Sequence, residues 1–153
     1  TKYICPNHLK AEHHFWLNKT TTEEERRRKA EQLLKAKKKE EEFIKNKSCF
    51  FGIVIKDKDI EISVLDTIEA YQAEGEAMHH CVFKCEYYAR ENSVILSAHD
   101  KDGNRIETIE FSLTENKVVQ SRGVCNENTK YHDRIVNLVN ANAYRFIEAR
   151  ATA

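Results

Sequence analysis

Apolar residues follow three different rhythms along this chain, and each rhythm predicts a different element. Residues 20 to 47, TTTEEERRRKAEQLLKAKKKEEEFIKNK, are polar almost all round, with Leu33, Leu34, Phe43 and Ile44 as sparse apolar anchors. Thr20 stands three residues before Glu23, the spacing of a capping box, so one long helix is predicted to start there. The acid-before-base pairs Glu23/Arg27, Glu24/Arg28, Glu25/Lys29 and Glu31/Lys35 support it, by ~0.3 kcal/mol each. A helix this polar is a solvated face, docked at most lightly through its anchors.

After this helix the period drops to two. CFFGIVI and IEISV, around the polar turn Lys56 to Asp59, predict a hairpin. Asp66, three residues before Glu69, is the expected cap of a helix through Tyr71 that weakens at Gly75. From Glu76 a second helical segment would place Ala77, Cys81, Cys85 and Tyr88 on one face, with His80 and Lys84 beside it. SVILSAH, RIETIEFSL and KVVQS, joined by polar turns, predict a three-stranded antiparallel meander. A closing helix, Tyr131 to Ala149, would bury Ile135, Leu138, Val139, Phe146 and Ile147. The fold class is therefore α+β: an antiparallel sheet, made of hairpin plus meander, packed with helices and preceded by the charged helix. We expect residues 1–47 to form an N-terminal segment and 48–153 the α+β domain.

Composition narrows the function. At 153 residues, one hydrophobic core is expected. Lys plus Arg (25) equals Asp plus Glu (25), which gives no overall pull toward nucleic acid or an anionic membrane. No apolar run reaches the roughly 18 residues of a membrane span, so a cytoplasmic protein with no membrane contact is expected. The five cysteines form an odd, sparse set, read as reduced thiols. The first residue is Thr1 rather than Met, which suggests a piece of a longer protein. With four glycines and no phosphate-cradling, nucleophile-elbow or His-Glu-x-x-His motif, no cofactor is implied.

The densest chemistry lies in GEAMHHCVFKCEYYAR, residues 75 to 90. Cys81 is a candidate nucleophile, provided a nearby base or helix terminus favours the thiolate. His80 is adjacent, and His99 and His132 are alternative bases. Glu110 would orient the base and Gln120 would donate to an oxyanion. The plainer alternative is that Cys81 is one more small buried hydrophobe. Cys5, His8, Cys81 and Cys85 offer a weak zinc set that lacks paired Cys-x-x-Cys knuckles, and no metal is assigned. In VVQSRGVCNEN, alternation puts Gln120 and Arg122 on the side of Val118, Gly123 permits a turn that a Cβ would strain, and Asn126 or Asn128 would cap the last helix.

Together EGEAMHHCV, the following Tyr87 or Tyr88, ETIEF and QSRGVCN resemble the PcfJ-like proteins of conjugative plasmids and related mobile elements. CPNHLKAEH resembles that family's entry segment at Pro6, Leu9 and His13, so the likeness spans nearly the whole chain. The matching motif positions are His80, Cys81, Val82, Tyr88, Glu110, Gln120, Arg122, Gly123 and Asn126, and His99 stands where the family pattern leads one to expect an arginine. The resemblance implies a bacterial mobile-element setting without a defined reaction. The expectation is an accessory or binding domain with a polar Cys/His/Gln/Arg pocket in which Arg122, Asn126 and Tyr88 bind. A cysteine-dependent hydrolase or transferase is the alternative, and nucleic-acid association a third reading. Other mobile-element proteins or nucleic acid are the candidate partners.

Overall fold

The structure is a computed structural model and describes residues 23–153. The charged stretch is two helices rather than one, α1 (Glu23–Lys37) and α2 (Glu40–Lys47). At the break the Lys39 N–H donates to the Ala36 carbonyl, and the Phe43 N–H starts the next helix on the Lys39 carbonyl. This bend turns Phe43 and Lys47 inward. Ala36 and Phe43 are buried and Leu33 packs beside them, whereas the expected anchors Leu34 and Ile44 stay exposed. Lys29 and Lys37 pair across to Glu76 and Glu69 at 3.4 and 3.0 Å, so the charged face is tied to its neighbour as well as to water.

Lys47 is buried, and its ammonium donates to the carbonyls of Arg90 (2.6 Å), Glu91 (2.9 Å) and Ser93 (2.5 Å). It thereby clamps the start of the meander to α2. Burial pushes its pKa down to about 8. The folded value lies below that of a free lysine, so stability should rise with pH from about 8 until the unfolded chain also loses the proton. Replacing Lys47 by Met should strip three carbonyls of their donor at a cost of about 2 kcal/mol and remove that pH dependence. Urea unfolding at two pH values measures both effects.

The expected hairpin and meander form one open sheet, β1 (Val54–Lys56), β2 (Ile60–Val64), β3 (Ser93–Asp100), β4 (Arg105–Ser112) and β5 (Lys117–Arg122), antiparallel in that order. Pairing of β2 with β3, with Val64 opposite Leu96, joins the two halves. This confirms the α+β class. On one face Ile62, Leu96, Ile109 and Phe111 pack against Ile135 and Val139 of α4 (His132–Ala141) and Phe146 of α5 (Ala143–Ala151). On the other, Ile95 meets Phe43 together with Leu65, Ile68 and Tyr71, the last two from α3 (Ile68–Met78). Helices cover both faces, which is why β3 is buried on alternate and intervening residues alike.

Several sequence expectations need correction. Thr67, not Asp66, caps α3, accepting from the Ala70 N–H at 3.0 Å. The helix runs through Gly75 without weakening and stops at His79, which is left-handed at φ 52°. The expected second helix from Glu76 is absent: a tight loop follows His79, and a single 3-10 turn covers Tyr87–Ala89. The closing helix breaks at Asn142, and the change of direction leaves Ile147 exposed while Phe146 is buried. Neither Asn126 nor Asn128 caps α4; its first turn leans on Thr129, whose Oγ1 accepts from Tyr131 N and whose carbonyl accepts from His132 N. Among the described residues no helix is long and apolar enough to cross a membrane.

Candidate functional site

The stripe of α3 that faces the sheet is Ile68, Tyr71, Glu74 and Met78, so a carboxylate sits where an apolar side chain would normally pack. Glu74 is fully buried and collects donors from the sheet: Ser97 Oγ at 2.9 Å, Arg105 Nε at 2.8 Å and Thr108 Oγ1. Thr108 Oγ1 also lies 2.9 Å from His80 Nε2. An ionised carboxylate only accepts, so the single threonine proton goes to Glu74 and His80 donates through Nε2. His80 Nδ1 is then the acceptor, and the Val82 N–H points at it from 3.5 Å. Burial holds the His80 imidazole below the ordinary histidine range, with the Glu74 charge opposing it.

Loop geometry places that imidazole. The left-handed turn at His79 lets the His80 N–H reach back to the Gly75 carbonyl at 3.2 Å. A Cβ on Gly75 would lie 3.2 Å from the His80 carbonyl, so glycine here serves the close approach of loop to helix and not a helix break. The next residues, Val82 and Phe83, are buried, and Cys81 and Cys85 are exposed. Cys81 is therefore not the small buried hydrophobe of the plainer alternative. Cys49 is also a free thiol, but Cys125 is disulfide-bonded, which corrects the expectation of a fully reduced set.

Across from the loop, Thr108 opposes Arg122 and Glu110 opposes Gln120. A bulge follows at once, for Phe111 pairs with Val118. The extra residue, Val119, reverses the alternation, so Val118 joins the core face of Phe111 while Gln120 and Arg122 turn to the other side. That places them, with Asn126, around a cleft of about 40 Å³ also walled by His80, Cys81, Val82, Tyr87 and Glu110. Six predicted site residues, His80, Cys81, Glu110, Gln120, Arg122 and Asn126, thus share one cavity. Tyr88 lies behind it in the core, edge-on to Tyr71, and its neighbour Tyr87 takes the place at the wall.

Glu110 does not orient a histidine. It accepts from Ser93 Oγ (2.6 Å) and Arg90 Nη1 (2.9 Å), and the Arg90 guanidinium lies 3.6 Å from the Tyr87 ring centre. Burial raises the Tyr87 hydroxyl pKa. His132 and His99 are placed elsewhere: His132 is bonded to Glu107 under α4, and His99 borders a separate open groove beside the β1–β2 turn. Arg122 spends Nη1 on the Ser121 carbonyl (3.2 Å) and Asn128 Oδ1 (3.1 Å). Among the described residues the side-chain amides of Gln120 and Asn126 make no hydrogen bond. Behind them Gly123 is irreplaceable for a steric reason, because a Cβ would stand 2.7 Å from Thr129 Cγ2 and 2.9 Å from the Glu127 carbonyl.

Among the described residues no three His, Cys, Asp or Glu side chains gather to hold a metal ion. The other half of the suggested zinc set, Cys5 and His8, lies outside the described residues, as do the entry-segment positions. Sequence reasoning missed Glu74, Thr108 and Arg90, and of the pair Tyr87 and Tyr88 it took Tyr88 to the site where Tyr87 lines the cleft. Glu74 alone carried a signal, as a charge in phase with Tyr71 and Met78 on an apolar stripe. The family model described as PcfJ-like protein matches residues 1–136. No curated protein and no solved structure matches the chain.

Proposed function

The chain belongs to the PcfJ-like protein family, and from that premise we propose that it is a binding domain of a conjugative-plasmid or related mobile-element protein whose cleft receives a small anionic acceptor group such as a carboxylate. The observation that carries this reading is the convergence of open donors on a narrow cavity. Gln120 and Asn126, whose side-chain amides have no partner among the described residues, line one space with Arg122. A guanidinium has five donors in a planar fork matched to carboxylate oxygens, and Arg122 uses one nitrogen internally. A volume of about 40 Å³ holds a group of a few atoms, given that a single water occupies roughly 10–15 Å³ on this measure.

The cysteine-dependent hydrolase reading has one observation in its favour, the exposed Cys81 beside His80. Against it, the adjacent histidine is already engaged: His80 gives Nε2–H to Thr108, and its Nδ1 faces the Val82 N–H. Titration of ¹⁵N-labelled protein with acetate, a short peptide bearing a free C-terminus, and inorganic phosphate tests the binding reading. The side-chain amide signals of Gln120 and Asn126 are expected to shift with one of the carboxylates, and Arg122→Ala is expected to weaken that binding about tenfold or more. Amide signals that stay fixed with all three probes would overturn the reading, and a response to phosphate alone would replace the carboxylate with a phosphate ligand. Rapid alkylation of Cys81 at neutral pH would move the balance to the hydrolase.

A further inference from the structure

Three groups outside the proposed ligand contacts carry reactive chemistry: the Glu107–His132 cluster, the Lys47 clamp and the paired thiols of the loop after α3. The first two are closed within the fold, and among the described residues no buried side-chain donor or acceptor is left without a partner. The thiols are different. Cys81 and Cys85 are both free and both exposed, and they stand at the two ends of a single turn whose backbone bond, Cys85 N–H to the Cys81 carbonyl, is 2.7 Å long. One helical turn sets residues four apart about 6 Å apart at Cα, inside the window of roughly 4.4–6.8 Å that a disulfide spans. The two thiols are also near enough to interact, since the Cys81 side chain raises the pKa of the Cys85 thiol. The Cys81 sulfur, with burial second, holds the Cys85 thiol above the ordinary cysteine value.

We propose that Cys81 and Cys85 form a reversible dithiol–disulfide site that reacts with low-molecular-weight disulfides of the glutathione class. The Cys81 thiolate attacks one sulfur of the small disulfide, whose S–S bond breaks and releases one thiolate that takes a proton from water. Cys85 then loses its proton to solvent and attacks the Cys81 sulfur, expelling the second small thiol. The two cysteines are oxidised by two electrons, and the small disulfide is reduced to two thiols. The second step is intramolecular and needs little backbone movement, so the mixed disulfide should not accumulate. Nothing in this chemistry depends on what the cleft binds.

The test is incubation of the protein with oxidised glutathione, followed by intact mass and peptide mapping. The expected product has lost the mass of two hydrogens, carries a Cys81–Cys85 cross-link, and leaves Cys49 free. It should return to the starting mass with a monothiol. Cys85→Ser, a change on the surface, should instead trap a stable glutathione adduct on Cys81, and circular dichroism checks that this variant folds. Separate adducts on Cys81 and Cys85, a cross-link from Cys81 to Cys49, or an unchanged mass under conditions that modify a model thiol would each overturn the proposal.

Discussion

Replacing Glu107 by glutamine is expected to destabilise the fold by about 3–4 kcal/mol, the largest loss of any isosteric change outside the cleft. Glu107 is fully buried on β4, in phase with Ile109 and Phe111. Its two oxygens collect Ser121 Oγ (2.5 Å), Thr129 N (2.8 Å), Thr129 Oγ1 (2.7 Å) and His132 Nδ1 (2.9 Å). Glutamine keeps the volume but offers an NH₂ where an acceptor stood, so donors face donors. The pH dependence follows from the same contacts. Burial alone would raise this carboxyl, but the bonds from Ser121, Thr129 and His132 outweigh it and hold the group below the usual glutamate value. A carboxyl depressed in the folded state lends stability that is present above its unfolded value and is lost as pH falls through the folded one. Urea midpoints at about pH 7 and about pH 4 should therefore fall more for the wild type than for Glu107→Gln. Equal acid losses would show that Glu107 is not the group responsible.

The cluster around Glu107 also explains how β5, the edge strand nearest the cleft, keeps its register. Ser121 points to the α4 face and is spent on Glu107, which forces Gln120 and Arg122 to the opposite face. The cleft is thus positioned from behind: the loop 123–129, fixed by Thr129 on Glu107 and by the tight packing at Gly123, presents Asn126 at φ 64°. A left-handed asparagine beside a left-handed Cys125 costs about 1 kcal/mol or more for each residue and persists because the surrounding bonds leave no alternative.

Strand periodicity and turn residues were enough to read the five strands and the α+β class, because alternation such as Ile60, Ile62, Val64 maps directly onto one buried face. The pairing of β2 with β3, which turns two pieces into one sheet, has no local signature. The site residues were legible as a set, since His80, Cys81, Glu110, Gln120, Arg122 and Asn126 stand out as polar groups beside apolar runs. Their geometry was not. A helical phase was assigned to Cys81 and Cys85, but the left-handed turn at His79 ends the helix two residues before Cys81, and no glycine, the usual signal of such a stop, marks the place. In the same way a bulge at Val119 reverses the face of Gln120, and a bulge is set by the partner strand as much as by its own sequence. Glu74 was missed for the opposite reason: helix patterns are read from apolar residues, so a carboxylate on the inner stripe counts as noise until its partners on the sheet are seen.

Glu74→Ala is the second change expected to cost the most, about 4 kcal/mol, since it leaves Arg105, Ser97 and Thr108 without their common acceptor in a buried layer. A purely structural carboxylate would stop there. This one also governs His80 through Thr108, and two measurements separate that role from bulk stability. In a double-mutant cycle with Thr108→Val, the two losses should fall short of additivity by about 1 kcal/mol or more, because each change breaks the same chain. In an NMR titration, burial already holds His80 below the ordinary histidine range while the Glu74 charge pulls the other way. Removing that charge with the gentler Glu74→Gln should therefore lower the His80 pKa further. The folded protein would then bind fewer protons at mildly acid pH and lose more stability as the pH falls below the unfolded histidine value. An unchanged His80 titration in a folded Glu74→Gln variant would mean that the carboxylate holds the sheet to the helix but does not reach the cleft.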